Sequence, residues 1–174
     1  MNTKKLATLG VLCATALIIF IVETRLPALG PPGVKLGLAN IVTLFTMALL
    51  GKRDAGLVLL GRIVMGAMFS GNLSILVFSL TGGICAYIVM ALTIGLFPPR
   101  LLWVVSVFGA IAHNAGQLCA AGLVITGRPS LVSIVPLFAG YGPWLLISAI
   151  VTGAFTGIAS SRLVESLRDF VRQQ

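Results

Sequence analysis

Hydrophobic residues along this chain form long runs, which short stretches of charge, glycine and proline separate. Six apolar segments can be distinguished, at about residues 6–22, 36–50, 55–69, 73–97, 101–126 and 131–159. A membrane-spanning helix needs roughly 20 apolar residues, with a range of about 17–25. The pattern predicts an all-α integral membrane protein, a six-transmembrane-helix bundle that forms one membrane domain over residues 1–174.

Three parts of this pattern are irregular. The second and third segments are short, which predicts helices that are kinked, tilted or partly lined by protein. Gly140 to Pro143 interrupts the sixth segment, so we expect a partly unwound or interfacial stretch before Pro143. In the tail, residues 160–174, apolar residues recur at helical spacing between charged ones, which predicts an amphipathic extension at the membrane surface.

Composition supports lipid as the solvent. Hydrophobic residues make up 58% of the chain, charged residues 9%, and the mean hydropathy is +1.10. A soluble domain carries about 25% charged residues. The net charge of +8 does not point to nucleic acid, because the basic residues lie mostly in short gaps between apolar runs.

The basic residues also predict the orientation. With six spans, one side of the membrane collects eight of them: Lys4, Lys5, Lys52, Arg53, Arg100, Arg162, Arg168 and Arg172. The other side has three: Arg25, Lys35 and Arg128. Cytoplasmic loops carry the excess of Lys and Arg, so both termini are predicted to be cytoplasmic.

Arg62 is the remaining basic residue and falls inside the third apolar segment. An arginine at the centre of a membrane helix costs about 2.5–3.5 kcal/mol on insertion scales. Its side chain either contacts a ligand or a buried ion-pair partner, or it snorkels to a headgroup. The long reach from mid-helix favours the first interpretation.

A second polar group, His113, Asn114 and Gln117, lies near the middle of the fifth segment. His113 and Gln117 are four residues apart and share a helix face, and Asn114 lies close to it. Hydrogen-bonding side chains at this depth indicate either contacts between helices or a substrate pocket.

The connection from Glu23 to Asn40 is rich in proline and glycine and is predicted to be external. It is either a plain surface loop or a structured loop that folds over a cavity. Arg25 and Lys35 add positive charge at this mouth, and an unpaired Asn40 amide just inside the next helix would cost energy.

Small residues recur in two helices. Ala7, Gly10 and Ala14 lie on one side of the first helix, and Gly153 and Gly157 form a GxxxG pair in the last. Such residues let helices approach closely, either within the bundle or against a partner protein.

Several kinds of chemistry have no motif in the sequence. There is no P-loop, no G-x-S-x-G, no H-E-x-x-H and no cluster of carboxylates for Mg²⁺. We therefore expect no cofactor, no metal site and no enzymatic activity in this chain.

The stretches GVKLGLANIVTLFTMALLG (33–51) and AHNAGQL (112–118), together with Arg62, resemble the Gx transporter family, also labelled heptaprenyl diphosphate synthase component I. The resemblance covers nearly the whole chain. This family is similar to the substrate-binding S components of energy-coupling factor (ECF) transporters. The resemblance implies a multi-pass protein of the bacterial cytoplasmic membrane, which works with an ECF T component and two ATPase subunits.

The resemblance also implies roles for residues. Ala7, Gly10 and Ala14 would dock the T component, although they depart from a strict A-x-x-x-A pattern. The substrate pocket would be formed by Lys35, Asn40, Arg62, His113, Asn114, Gln117, Tyr141 and Trp144.

The expected function is capture of a small metabolite from the external side, and an isoprenoid or quinone precursor is one candidate. The alternatives are a membrane subunit of a prenyl diphosphate or quinone biosynthetic enzyme, and an accessory membrane protein without a ligand.

Overall fold

The structure, a computed structural model, describes residues 3–26, 35–127 and 131–172, and these ranges contain helices and no strands. The α-helices are α1 Thr3–Glu23, α2 Asn40–Leu49, α3 Lys52–Ser70, α4 Leu73–Thr93, α5 Leu102–Thr126 and α6 Leu131–Arg172, and a 3-10 turn at Pro99–Leu101 precedes α5.

Within the described residues, four helical stretches are long and apolar enough to cross a membrane: Thr3–Glu23, Leu73–Thr93, Pro99–Thr126 and Ile134–Leu167. This confirms an all-α architecture over the described residues, with several helices that are able to span a membrane. Six spans and cytoplasmic termini remain predictions.

The chain turns where glycine or asparagine allows it. Gly51 before α3, Gly71 after α3 and Gly127 after α5 have φ values of 97°, 60° and 70°, a region that other residues rarely adopt. The side chain of Asn72 accepts a hydrogen bond from the Ser74 N–H at 2.9 Å and so caps the start of α4.

Helix α2 lies at the centre of the bundle and packs against every other α-helix described. Most of its residues are buried, among them Leu44 and Met47. A helix surrounded by protein does not need the length of a lipid-exposed span. This explains why the second apolar segment is short.

Helix α6 differs from the expected interrupted helix. It continues from Leu131 to Arg172 with Pro136 and Pro143 inside it, so the unwound stretch expected before Pro143 is absent. At about 1.5 Å per residue it is longer than a bilayer core of about 30 Å. The tail begins as part of the bundle, because Val164 is buried in a core cluster with Leu44 and Met90.

The two groups of small residues have different surroundings. A Cβ added at Gly153 would lie 2.6 Å from Val107 Cα, and one at Gly157 would lie 2.3 Å from Trp103 Cα, so this pair packs α6 against α5. In contrast, Ala7, Gly10 and Ala14 are exposed, and a Cβ added at Gly10 would meet nothing within 4 Å. The other described residues therefore leave the stripe on α1 exposed.

Candidate polar ligand site

Arg62 lies near the middle of α3 and points into the bundle. It is 3% exposed, and neither its Nε nor its Nη2 atom has a hydrogen-bond partner. The structure therefore does not place this side chain at a headgroup. A buried guanidinium with unused donors is costly, because water is lost and no acceptor replaces it.

Glu23, the last residue of α1, contributes a carboxylate to this region. It is 4% exposed and interacts electrostatically with Lys35 and Arg62. Its Oε1 atom accepts a hydrogen bond from the Gly37 N–H. Gly37 has a φ of 78°, which places its amide in a conformation that favours glycine. Glu23 thus ties the segment before α2 to the end of α1.

Lys35 is held over the same region. Its backbone N–H donates to Gln117 Oε1 on α5 at 2.8 Å, and its Nζ lies 3.8 Å from the centroid of the Phe20 ring. The guanidinium carbon of Arg62 is 5.5 Å from the same centroid. Both distances are within the range of cation–π contacts. Burial lowers the pKa of Lys35 to about 8, and its Nζ has no hydrogen-bond partner.

His113 and Gln117 reach the region from α5. They are 3% and 1% exposed, and a Cβ added at Gly82 of α4 would lie 2.9 Å from atoms of both side chains. Glycine at this position therefore makes room for them. The Gly82 backbone lies near the imidazole, but neither ring nitrogen of His113 completes a hydrogen bond.

Asn40, the first residue of α2, is 7% exposed, and its Oδ1 also lacks a partner. A Cβ added at Gly37 would lie 3.0 Å from Asn40 Nδ2 and 2.8 Å from His113 Cδ2, so the two side chains meet at this glycine. We use the term polar cluster for Glu23, Lys35, Asn40, Arg62, His113 and Gln117.

The polar cluster has an excess of unsatisfied donors and of positive charge. Two cations, Lys35 and Arg62, face one carboxylate, Glu23, and leave one positive charge when His113 is neutral. Buried polar groups are normally hydrogen-bonded, so a group of unpaired buried atoms calls for an explanation. A small anion that carries its own donors and acceptors would satisfy them.

Three predicted site residues lie elsewhere. Asn114 faces α6, where its Nδ2 donates to the Leu145 carbonyl at 2.8 Å. One residue corresponds to about 100° around a helix, which turns Asn114 away from His113. Tyr141 and Trp144 are 42% and 57% exposed on α6 and lie outside the buried cluster.

Sequence reasoning did not single out Glu23 or Phe20 as site residues. A signal for Glu23 was present, because it is one of four acidic residues in the chain and lies at the predicted mouth beside Lys35. Phe20 had no such signal, since one aromatic residue in an apolar helix is usually a packing residue. Residues 27–34 of the predicted external loop, and Arg128, lie outside the described residues.

The sequence model of a family described as "Heptaprenyl diphosphate synthase component I" matches residues 12–163. The chain belongs to this family, as the resemblance predicted. The match includes every residue of the polar cluster. Neither the curated proteins nor the solved structures contain a match.

Proposed function

We propose that this member of the heptaprenyl diphosphate synthase component I family is the substrate-binding subunit (S component) of an ECF-type importer. It captures a small anionic metabolite in the polar cluster. The observation that carries the proposal is the set of buried, unpartnered donors on Lys35, Arg62 and His113.

Electrostatics supports an anion as the ligand. Taking a charge out of water costs several kcal/mol even after the protein relaxes, and a second like charge nearby adds repulsion. In the polar cluster both cations lie against the Phe20 ring. An anion between them would offset the repulsion and accept their hydrogen bonds. The Asn40 Oδ1 atom additionally favours a ligand with a donor group.

The backbone around Gly37 supports a closed state of the site. The Gly37 N–H is bonded to Glu23, and the Lys35 N–H is bonded to Gln117, so the segment before α2 is attached to both α1 and α5. A ligand would enter or leave when these bonds open. Gly37 with its positive φ is the natural hinge.

The position of the cluster supports external capture. Glu23 ends α1 and Asn40 begins α2, so the cluster lies toward the end of α1 opposite to its start at Thr3. The excess of basic residues on the terminal side makes that side cytoplasmic and the cluster external.

The exposed stripe of Ala7, Gly10 and Ala14 supports a partner on α1. Small exposed residues allow another membrane helix to approach the backbone closely. We assign this surface to the T component, with two ATPase subunits as the source of energy.

The proposal is tested by thermal-shift screening of the purified protein against small carboxylates and phosphate monoesters. We expect a stabilising anion whose effect is lost in Arg62→Ala and in His113→Ala. The matched control is Arg100→Ala, since Arg100 is an exposed arginine outside the cluster. Unchanged ligand affinity in both cluster variants would refute the site.

Docking is tested separately by co-purification with the T component and the ATPases. We expect Gly10→Leu to lose the complex and to keep ligand binding. A complex that forms equally well with Gly10→Leu would remove α1 as the docking surface and would leave the ligand site in place.

The family's description favours a second candidate, a membrane subunit of a prenyl diphosphate synthase. Formation of a prenyl diphosphate by the purified protein with Mg²⁺, alone or with a soluble subunit, would establish it. Loss of that activity in Arg62→Ala would place the diphosphate in the polar cluster.

A further inference from the structure

Glu23 supplies the carboxylate of the polar cluster. It is 4% exposed and interacts electrostatically with Lys35 and Arg62. The Gly37 N–H donates to its Oε1 atom, and the Ala39 backbone also hydrogen-bonds to the carboxylate. The side-chain oxygen of a neutral glutamine could accept the bond from Gly37 equally well. That bond therefore does not require a charged residue at this position.

The net charge of the cluster follows from its titratable groups. Arg62 is charged at neutral pH, and so is most of Lys35, because its pKa is about 8. The imidazole of His113 lies near both cations, which disfavour a third positive charge, and the Cys13 thiol near Arg62 is neutral. Two positive charges and the carboxylate of Glu23 therefore give a net charge of +1.

A net charge of +1 suits a ligand with one negative charge. The first negative charge on a ligand is compensated by the cluster, whereas a second would enter the buried region without a counter-charge. Burying an unpaired charge is costly even after the protein relaxes. Without the carboxylate the net charge would be +2, which suits a dianion. The field of a buried charge extends over several ångströms, so Glu23 selects the ligand without having to touch it.

We propose that Glu23 is a specificity-determining residue, whose negative charge restricts the polar cluster to monoanions such as monocarboxylates and excludes dicarboxylates, dianionic phosphate esters and diphosphates. This inference rests on the proposed function, since it assumes that the polar cluster binds the ligand. A prenyl diphosphate carries more than one negative charge, so a cluster of this kind would not hold it.

The test compares probes of similar shape that differ by one charge. Methanesulfonate is paired with sulfate, and succinamate is paired with succinate. Their affinities for the purified full-length chain are measured by thermal-shift titration at neutral pH and constant ionic strength. We expect each monoanion to bind at least tenfold more tightly than the dianion of its pair, because the second charge has no partner.

Three variants assign the preference to Glu23. Glu23→Gln keeps an acceptor for the Gly37 N–H and raises the net charge to +2, so the dianions should become the tighter ligands. Adding Lys35→Met to Glu23→Gln returns the net charge to +1 and should restore the preference for monoanions, a reversal that a purely structural role would not produce. Glu165→Gln is the matched control and should change nothing, because Glu165 is exposed on α6.

Equal or tighter binding of the dianions by the unsubstituted protein would overturn the inference and would leave an anion site in place. An unchanged preference in Glu23→Gln would overturn it as well. If none of the four probes binds at millimolar concentration, the anion site itself fails, and the proposed function fails with it. If Glu23→Gln does not fold, the comparison of probes in the unsubstituted protein decides the question.

Discussion

Replacing Arg62 by methionine removes a buried positive charge and keeps a side chain of similar length. Arg62 has two donor atoms without partners, and a hydrogen bond to a charged group contributes about 1.5–3 kcal/mol. Truncating one partner of a buried charged pair costs about 2–5 kcal/mol in binding. A loss of about 3 kcal/mol corresponds to roughly a hundredfold weaker ligand affinity.

The stability of the ligand-free protein should respond differently. Replacing a whole buried ion pair by apolar side chains is often neutral or stabilising by about 1–4 kcal/mol, whereas removing one partner of a bonded pair destabilises by about 3–5 kcal/mol. The Nε and Nη2 atoms of Arg62 have no hydrogen-bond partner, so its replacement breaks no bond at these atoms. Glu23 loses one cation in this variant but keeps Lys35. We therefore expect the ligand-free protein to unfold at the same or a higher temperature than the unsubstituted protein.

The assay combines thermal unfolding without ligand and calorimetric titration with the anion found by the screen. Arg100→Met is the matched control and should change neither quantity, because Arg100 is exposed. Unchanged affinity together with a destabilisation of about 3–5 kcal/mol would refute the reasoning, since Arg62 would then be a structural partner of Glu23.

Three further outcomes are expected. Burial lowers the pKa of Lys35 to about 8, so Lys35 is charged below that pH, and anion affinity measured by titration should fall as the pH rises through it; a flat profile would exclude Lys35. Gly37→Ala should weaken ligand binding at least tenfold, because its Cβ would lie 2.8 Å from His113 Cδ2 and Gly37 has a φ of 78°. Unchanged affinity would show that alanine fits this position without strain. Gly157→Leu should lower the free energy of unfolding by more than about 3 kcal/mol, since its Cβ would lie 2.3 Å from Trp103 Cα. Gly10→Leu is the control and should be neutral. Equal effects of the two substitutions in denaturant titrations would contradict the packing of α6 against α5 at Gly157.

Much of the fold could be predicted from the sequence, because in lipid the backbone must satisfy its own hydrogen bonds and long apolar runs become helices. The beginning of α4 at Leu73 and the end of α5 at Thr126 coincide with the predicted segment limits. The continuity of α6 could not be predicted. Pro143 removes one donor, but a helix in a bundle tolerates this where neighbouring groups compensate.

The polar cluster could be predicted in part. Arg62, His113 and Gln117 are expensive in an apolar helix and were identifiable for that reason alone. That Lys35 and Asn40 join them depends on how the chain returns from α1 to α2, which periodicity does not reveal. Asn114 could be recognised from the sequence as a polar residue in an apolar helix, but the sequence did not reveal that its side chain points toward α6.

The small residues also could not be assigned to a surface from the sequence alone. Both spacings predict that helices approach closely, that of Ala7, Gly10 and Ala14 as well as that of Gly153 and Gly157. Only the three-dimensional arrangement separates an exposed stripe from an internal contact.

The central claim is that the polar cluster holds a small anion. Mass spectrometry of small molecules released from the purified, washed protein tests it most directly. We predict one anionic metabolite at close to one molecule per chain in the unsubstituted protein and in Arg100→Met, and its loss from Arg62→Met. Absence of a small anion from the unsubstituted protein, or equal occupancy in Arg62→Met, would contradict the account.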